Sequence, residues 1–108
     1  MIVLRKLCTN YANKIILPGT TERFFGLLVG DPSDAYDWNV KTIGSVGHNV
    51  TKITSLCFDD SVEFTKYASI GTRFDLSINI LIDDGHCWLD ITNNEQESIR
   101  CIIKVKIF

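Results

Sequence analysis

The side chains in this sequence best suited to chemistry are carboxylates, and most of them are aspartates gathered in turn-like stretches. Seven of the nine aspartates (Asp31, Asp34, Asp37, Asp59, Asp60, Asp83 and Asp84) fall in segments 30–37, 59–61 and 83–86, which contain no lysine or arginine. Carboxylates so placed could ligate a cation, support acid-base work beside a histidine, or recognise positive charge. Calcium binding is only a minor alternative, because Asp31, Ser33, Asp34 and Asp37 supply oxygen ligands but lack the Asp-x-Asp-x-Asp-Gly order of a calcium loop. Acid-base work would fall to His86, which follows Asp83 and Asp84, but a tight turn is exposed and has no cavity to shift a pKa. His48, beside Gly47, has no nucleophile near it in sequence. No GxSxG, HExxH, P-loop or GxGxxG pattern occurs. Recognition of a basic surface is the use that survives. Against it stands the plain fact that aspartate suits turns for conformational reasons alone.

The cysteines and large aromatics carry the remaining chemistry. Cys8, Cys57, Cys87 and Cys101 show none of the CxxC spacings of a zinc or redox site, and only two histidines accompany them. No metal and no cofactor are expected. Reduced, buried thiols are expected in a chain that opens without an export signal, the alternative being a Cys87 to Cys101 cross-strand disulfide. Trp38, Tyr36 and Trp88 could anchor a partner, since interface energy concentrates in aromatics, or could pack as ordinary core. The triplet Asn49-Val50-Thr51 matches a glycosylation acceptor but lacks a secretory context.

These residues must be positioned by strands. From Phe74 the apolar positions recur at every second residue (Phe74, Leu76, Ile78, Ile80, Ile82), the period of a strand with one buried face. Asp84-Gly85 then suits a two-residue type I′ turn, whose two central positions need positive φ. Centred there, the hairpin pairs Ile82 with Cys87, Ile80 with Leu89 and Ile78 with Ile91. Leu81 then meets Trp88 and Asn79 meets Asp90 on the opposite face, whereas a slip of one residue would expose the apolar set. A third alternating run, Ile99 to Ile107, extends the hairpin into a C-terminal three-stranded meander, with a short loop near Asn94 setting Cys87 opposite Cys101.

Earlier in the chain, Lys14 to Leu17 reads as a strand stopped by Pro18-Gly19. Segment 22–29 reads as a strand with room for a bulge at Gly26, a threonine-capped helix being the alternative, followed by strands over 38–46 and 50–58. Segment 62–68 fits a strand, with a capped helical turn as the alternative, and Ile2 to Leu7 fits either element. The expected fold is mainly β: an antiparallel up-and-down sheet or small barrel with at most one or two short helices. An α+β arrangement is the alternative.

At 108 residues the chain is expected to form one β-rich domain, 1–108, with a core of its own. No apolar run approaches the length of a membrane span, and the N-terminus lacks the layout of a secretory signal, so the cytoplasm is the expected address. A net charge of −2 and a pI near 5.6 give no support to direct nucleic-acid binding.

In up-and-down order the three acidic segments share one end of the sheet. The expected function is a non-catalytic protein-binding module that meets a basic partner through Asp31, Asp34, Asp37, Asp59, Asp60, Asp83 and Asp84, flanked by Trp38 and Trp88. A bacterial immunity protein neutralising a nuclease toxin has these physical attributes. The alternatives are a small enzyme or ligand-binding β-barrel with a pocket, and a structural subunit of a larger complex.

Overall fold

A computed structural model describes residues 9–28, 34–58 and 61–107. All the regular structure in these residues is β: β1 (Thr9–Ile16), β2 (Thr21–Leu28), β3 (Asp34–Gly44), β4 (Gly47–Phe58), β5 (Ser61–Gly71), β6 (Leu76–Asp83), β7 (His86–Asn93) and β8 (Ile99–Ile107). No helix among them is long and apolar enough to cross a membrane. Every strand pairing is antiparallel, in a five-stranded sheet ordered β1-β8-β3-β4-β5 and a three-stranded sheet ordered β2-β7-β6. The mainly β, antiparallel expectation holds, and residues 62–68 belong to a strand rather than a helix. Residues 1–8, where strand and helix were both open, lie outside the described residues.

The β6–β7 hairpin has the register derived from its sequence, with Ile82 opposite Cys87, Ile80 opposite Leu89 and Leu81 opposite Trp88. Its turn places Asp84 at φ 52° and Gly85 at φ 71°, the two positive values that a type I′ turn requires. In β2 the register shifts between Phe25 and Leu27, and Phe25 itself has φ 72°. This bulge lets the adjacent Phe24 and Phe25 both pack towards the core, Phe24 only 4% exposed and Phe25 with its ring 6.0 Å from that of Trp38.

The meander stops after two strands. β8 does not pair with β7 but crosses to the other sheet and lies between β1 and β3. Alternation reveals that Ile99, Cys101, Ile103 and Val105 form an apolar face. It does not reveal whether that face continues a sheet or stacks on one. The crossing is fixed by Asn93, which is fully buried: its Nδ2 donates to the carbonyls of Ile16 and Glu97, and its Oδ1 accepts from the Glu95 amide. An amide satisfied on three sides at that depth holds the connection across the two sheets rather than letting it close a hairpin. Consequently Cys101 lies opposite Lys14 and Thr42, not Cys87.

The up-and-down order is also broken at the other crossovers and survives only within β3-β4-β5 and β6-β7. The core is the layer between the sheets, with Trp38, Val40, Ile53, Ile103 and Val105 from one side meeting Leu89, Ile91 and Phe24 from the other. Because one sheet has five strands and the other three, β5 has almost no cover along its length. The chain leaves β5 through residues 72–75, held at their start by the Thr72 amide donating to the His48 carbonyl at 2.8 Å.

Candidate functional site

The acidic segments are placed by strand ends. Leu28, the last residue of β2, pairs with His86 beside the β6–β7 turn. Asp34, the first residue of β3, pairs with Cys57 near the end of β4, and the Cys57 thiol lies 3.6 Å from that of Cys87. The described residues flanking connections 29–33, 59–60 and 84–85 therefore converge at one end of the molecule, although the strand order differs from the one expected. Asp31, Asp59 and Asp60 lie outside the described residues, as does the Asp34 side chain.

The remaining predicted residues divide. Asp84 is exposed in its turn, and its carbonyl oxygen lies 2.7 Å from His86 Nδ1. Asp83 is not a lone acid: Arg23, reaching across from β2, donates to it at 3.0 Å and to Asp90 through both Nε and Nη2. Hydrogen bonds to Asp90, then Asp83, hold the Arg23 guanidinium well above its ordinary pKa. Asp37 sits opposite Thr54 and Lys106 on the outer face of the larger sheet, in a groove of about 170 Å³ that also contains Lys52 and Lys104. It belongs to a mixed, base-rich surface, because the alternation that buries Tyr36 and Trp38 turns Asp37 outward among the β8 lysines.

Trp38 is core, not a surface anchor: it is 1% exposed and its Nε1 donates to Ser55 Oγ at 2.8 Å. Its position on the inner face of β3 leaves a partner nothing to touch. Trp88 is on the outside of the smaller sheet, half-buried. The Arg23 Cζ lies 5.4 Å from its ring centroid and its Nε1 donates to the Asp83 carbonyl. The ring covers Gly26 so closely that a Cβ there would lie 2.7 Å from it. Asp83, Asp84 and Trp88 thus share one surface with Arg23 and Asp90. Sequence reasoning missed those two because the β2–β7 pairing that sets Arg23 opposite Asp90 has no local signal.

The Cys87 and Cys101 thiols are not activated as nucleophiles. Cys57, Cys87 and Cys101 are all fully buried. The Cys87 thiol is driven far up in pKa by its hydrogen bond with Cys57 and then by burial, and burial alone pushes Cys101 up to about 11. That is opposite to the depressed pKa of a reactive thiolate. Among the described residues, no group of three or more His, Cys, Asp or Glu side chains is placed to hold a metal ion.

A second concavity had no counterpart in the sequence reading. Where the sheets splay beneath residues 72–75, a cleft of about 320 Å³ is lined by Thr42 from β3, Asn49 and Thr51 from β4, and Lys66 and Ser69 from β5. Arg73 and Phe74 from the connection, with Leu76 and Ile78 from β6, complete it.

No family model and no curated protein matches the chain. Its fold is similar to part of the tailspike protein of Acinetobacter phage vB_ApiP_P1, with a TM-score of 0.52 and 11% identity. The likeness covers 100% of this chain and 23% of the tailspike chain.

Proposed function

We propose that the chain is a non-catalytic binding module whose acidic end engages a basic protein surface, as an immunity protein engages a nuclease toxin. The observation that carries this reading is the meeting of Leu28 with His86, Asp34 with Cys57, and Cys57 with Cys87, which brings the flanks of three base-free, aspartate-bearing connections together. A cluster of one sign focuses field and speeds encounter with an oppositely charged partner. The acids assigned to the contact are Asp31, Asp34, Asp59, Asp60 and Asp84, together with Trp88. Asp83 contributes less, because it is paired with Arg23, whose charge it shares with Asp90.

The test is association kinetics with a stoichiometric basic protein recovered from the native host. Replacing Asp31, Asp59, Asp60 and Asp84 together by asparagine should slow association roughly tenfold at low salt, with the difference shrinking as salt screens the field. Unchanged kinetics in the quadruple variant, or an acidic partner, would remove the reading. The structural-subunit alternative has in its favour a fold like one quarter of a phage tailspike, and that likeness is one of fold alone.

A further inference from the structure

The cleft between the splayed sheets has a floor that packing does not explain. Along the inner face of β4, Ile53 and Cys57 are fully buried against the other sheet, but at the cleft the same face continues as Thr51 and Asn49, with Thr42 beside them on β3. These three polar side chains are only 8%, 4% and 3% exposed. Burying hydroxyls and an amide where aliphatic residues would serve is unfavourable unless they are hydrogen-bonded. Thr51 and Asn49 are held in fixed orientation. Thr51 Oγ1 donates to Asn49 Oδ1 at 2.9 Å, and the Asn49 amide also contacts Ser69 Oγ, 3.2 Å from Nδ2 and 3.3 Å from Oδ1.

The lip supplies charge of one sign. Lys66 and Arg73 line the cleft, no carboxylate does, and among the described residues neither base takes part in an ion pair. The opposite wall is apolar, made by Phe74, Leu76 and Ile78. A volume of about 320 Å³ lies at the small end of ligand pockets, room for one or two rings rather than a chain.

We infer that this cleft binds a small acidic sugar, its carboxylate or phosphate held by Lys66 and Arg73, its hydroxyls by Thr42, Thr51 and Ser69, and its C–H face by Phe74. The site is separate from the acidic end, and its charge preference is the reverse, so the two surfaces stand or fall independently.

The experiment is titration of the 15N-labelled chain, followed by amide chemical shifts, with four probes: D-glucuronate, D-glucose 6-phosphate, D-glucose and inorganic phosphate. Saturable shifts centred on the amides of Asn49, Thr51, Ser69 and Arg73 are expected with glucuronate, the sugar phosphate or both, and which of them binds identifies the anionic group. Glucose and inorganic phosphate should each bind at least roughly tenfold more weakly, since each lacks one set of partners and leaves polar groups unpaired. Lys66→Gln with Arg73→Gln, both at exposed positions, should retain the folded spectrum and weaken the acidic sugar roughly tenfold or more. Absence of shifts with both acidic sugars, equal binding of inorganic phosphate alone, or unchanged affinity in the double variant would each overturn the inference.

Discussion

Cys57 and Cys87 belong to different sheets, yet their sulfurs are 3.6 Å apart in the sealed core, and this makes a prediction with a calculable size. A disulfide there requires the sulfurs to close to about 2.05 Å, a small movement for two side chains that already touch. It would join β4 to β7 and enclose the whole of β5 and β6. For a separation of 30 residues, the chain-entropy relation puts the stabilisation at about 3.6 kcal/mol at 25 °C, before any strain in the native state. Cys101, among the described residues, makes no such contact with another thiol.

The bridge should form slowly. Thiolate is the attacking species, and both the hydrogen bond with Cys57 and burial hold Cys87 in its protonated form. Oxidation must therefore proceed through opened states, so urea below the unfolding midpoint should accelerate it. Overnight equilibration in a glutathione redox buffer, alkylation and peptide mapping would identify the bridge, and urea unfolding with and without reductant would give its energetic effect. Cys101→Ala should leave the bridge intact. Recovery of a Cys87–Cys101 bridge, or a bridged form no more stable than the reduced chain, would refute the reasoning.

Gly85→Val should destabilise the fold by about 1–2 kcal/mol, read from a urea midpoint, because a β-branched residue is strained at φ 71° although space around the position is open. Ser55→Ala should cost about 1–3 kcal/mol by leaving the buried Trp38 indole N–H without its acceptor. Adding Trp38→Phe should then cost less than the single Trp38→Phe does in the parent, and strict additivity in the double-mutant cycle would mean the bond contributes nothing. Glu97 accepts from the Ser45 hydroxyl and then the Ser45 amide, which lowers its pKa in the fold. Its contribution is present above the unfolded-state pKa and lost as pH falls through the folded one. The stability gap between the parent and Glu97→Gln at pH 7 should therefore narrow as pH falls below the ordinary glutamate value and through the lowered one, and a constant gap would count against the charge-assisted contact.

What the sequence made legible was local. The β6–β7 register follows from two signals that agree within a dozen residues, the period-two pattern and the Asp84-Gly85 turn, so nothing distant could overrule it. The bulge at Gly26 was readable for the same reason. The fate of β8 was not, because an apolar face is equally satisfied by a neighbour in the same sheet or a layer above it. The choice was made by buried Asn93, which reads from sequence as an ordinary loop residue.

Trp38 shows a different failure. With β3 begun at Asp34 rather than Trp38, the inner set Tyr36, Trp38, Val40 would have been plain, and Asp37 would have turned outward with Asn39 and Lys41. The cleft left a trace of the same kind. Once Ile53, Ser55 and Cys57 are assigned to the inner face of β4, stepping back by twos reaches Thr51 and Asn49, polar residues where burial calls for apolar ones. That conflict between pattern and composition is where a functional concavity is to be sought. Placing Lys66 and Arg73 at its lip, however, needed a strand bulge in β5 and a crossover whose path is fixed by long-range backbone bonds, the Thr72 amide on the His48 carbonyl and the Asn94 amide on the Asp75 carbonyl.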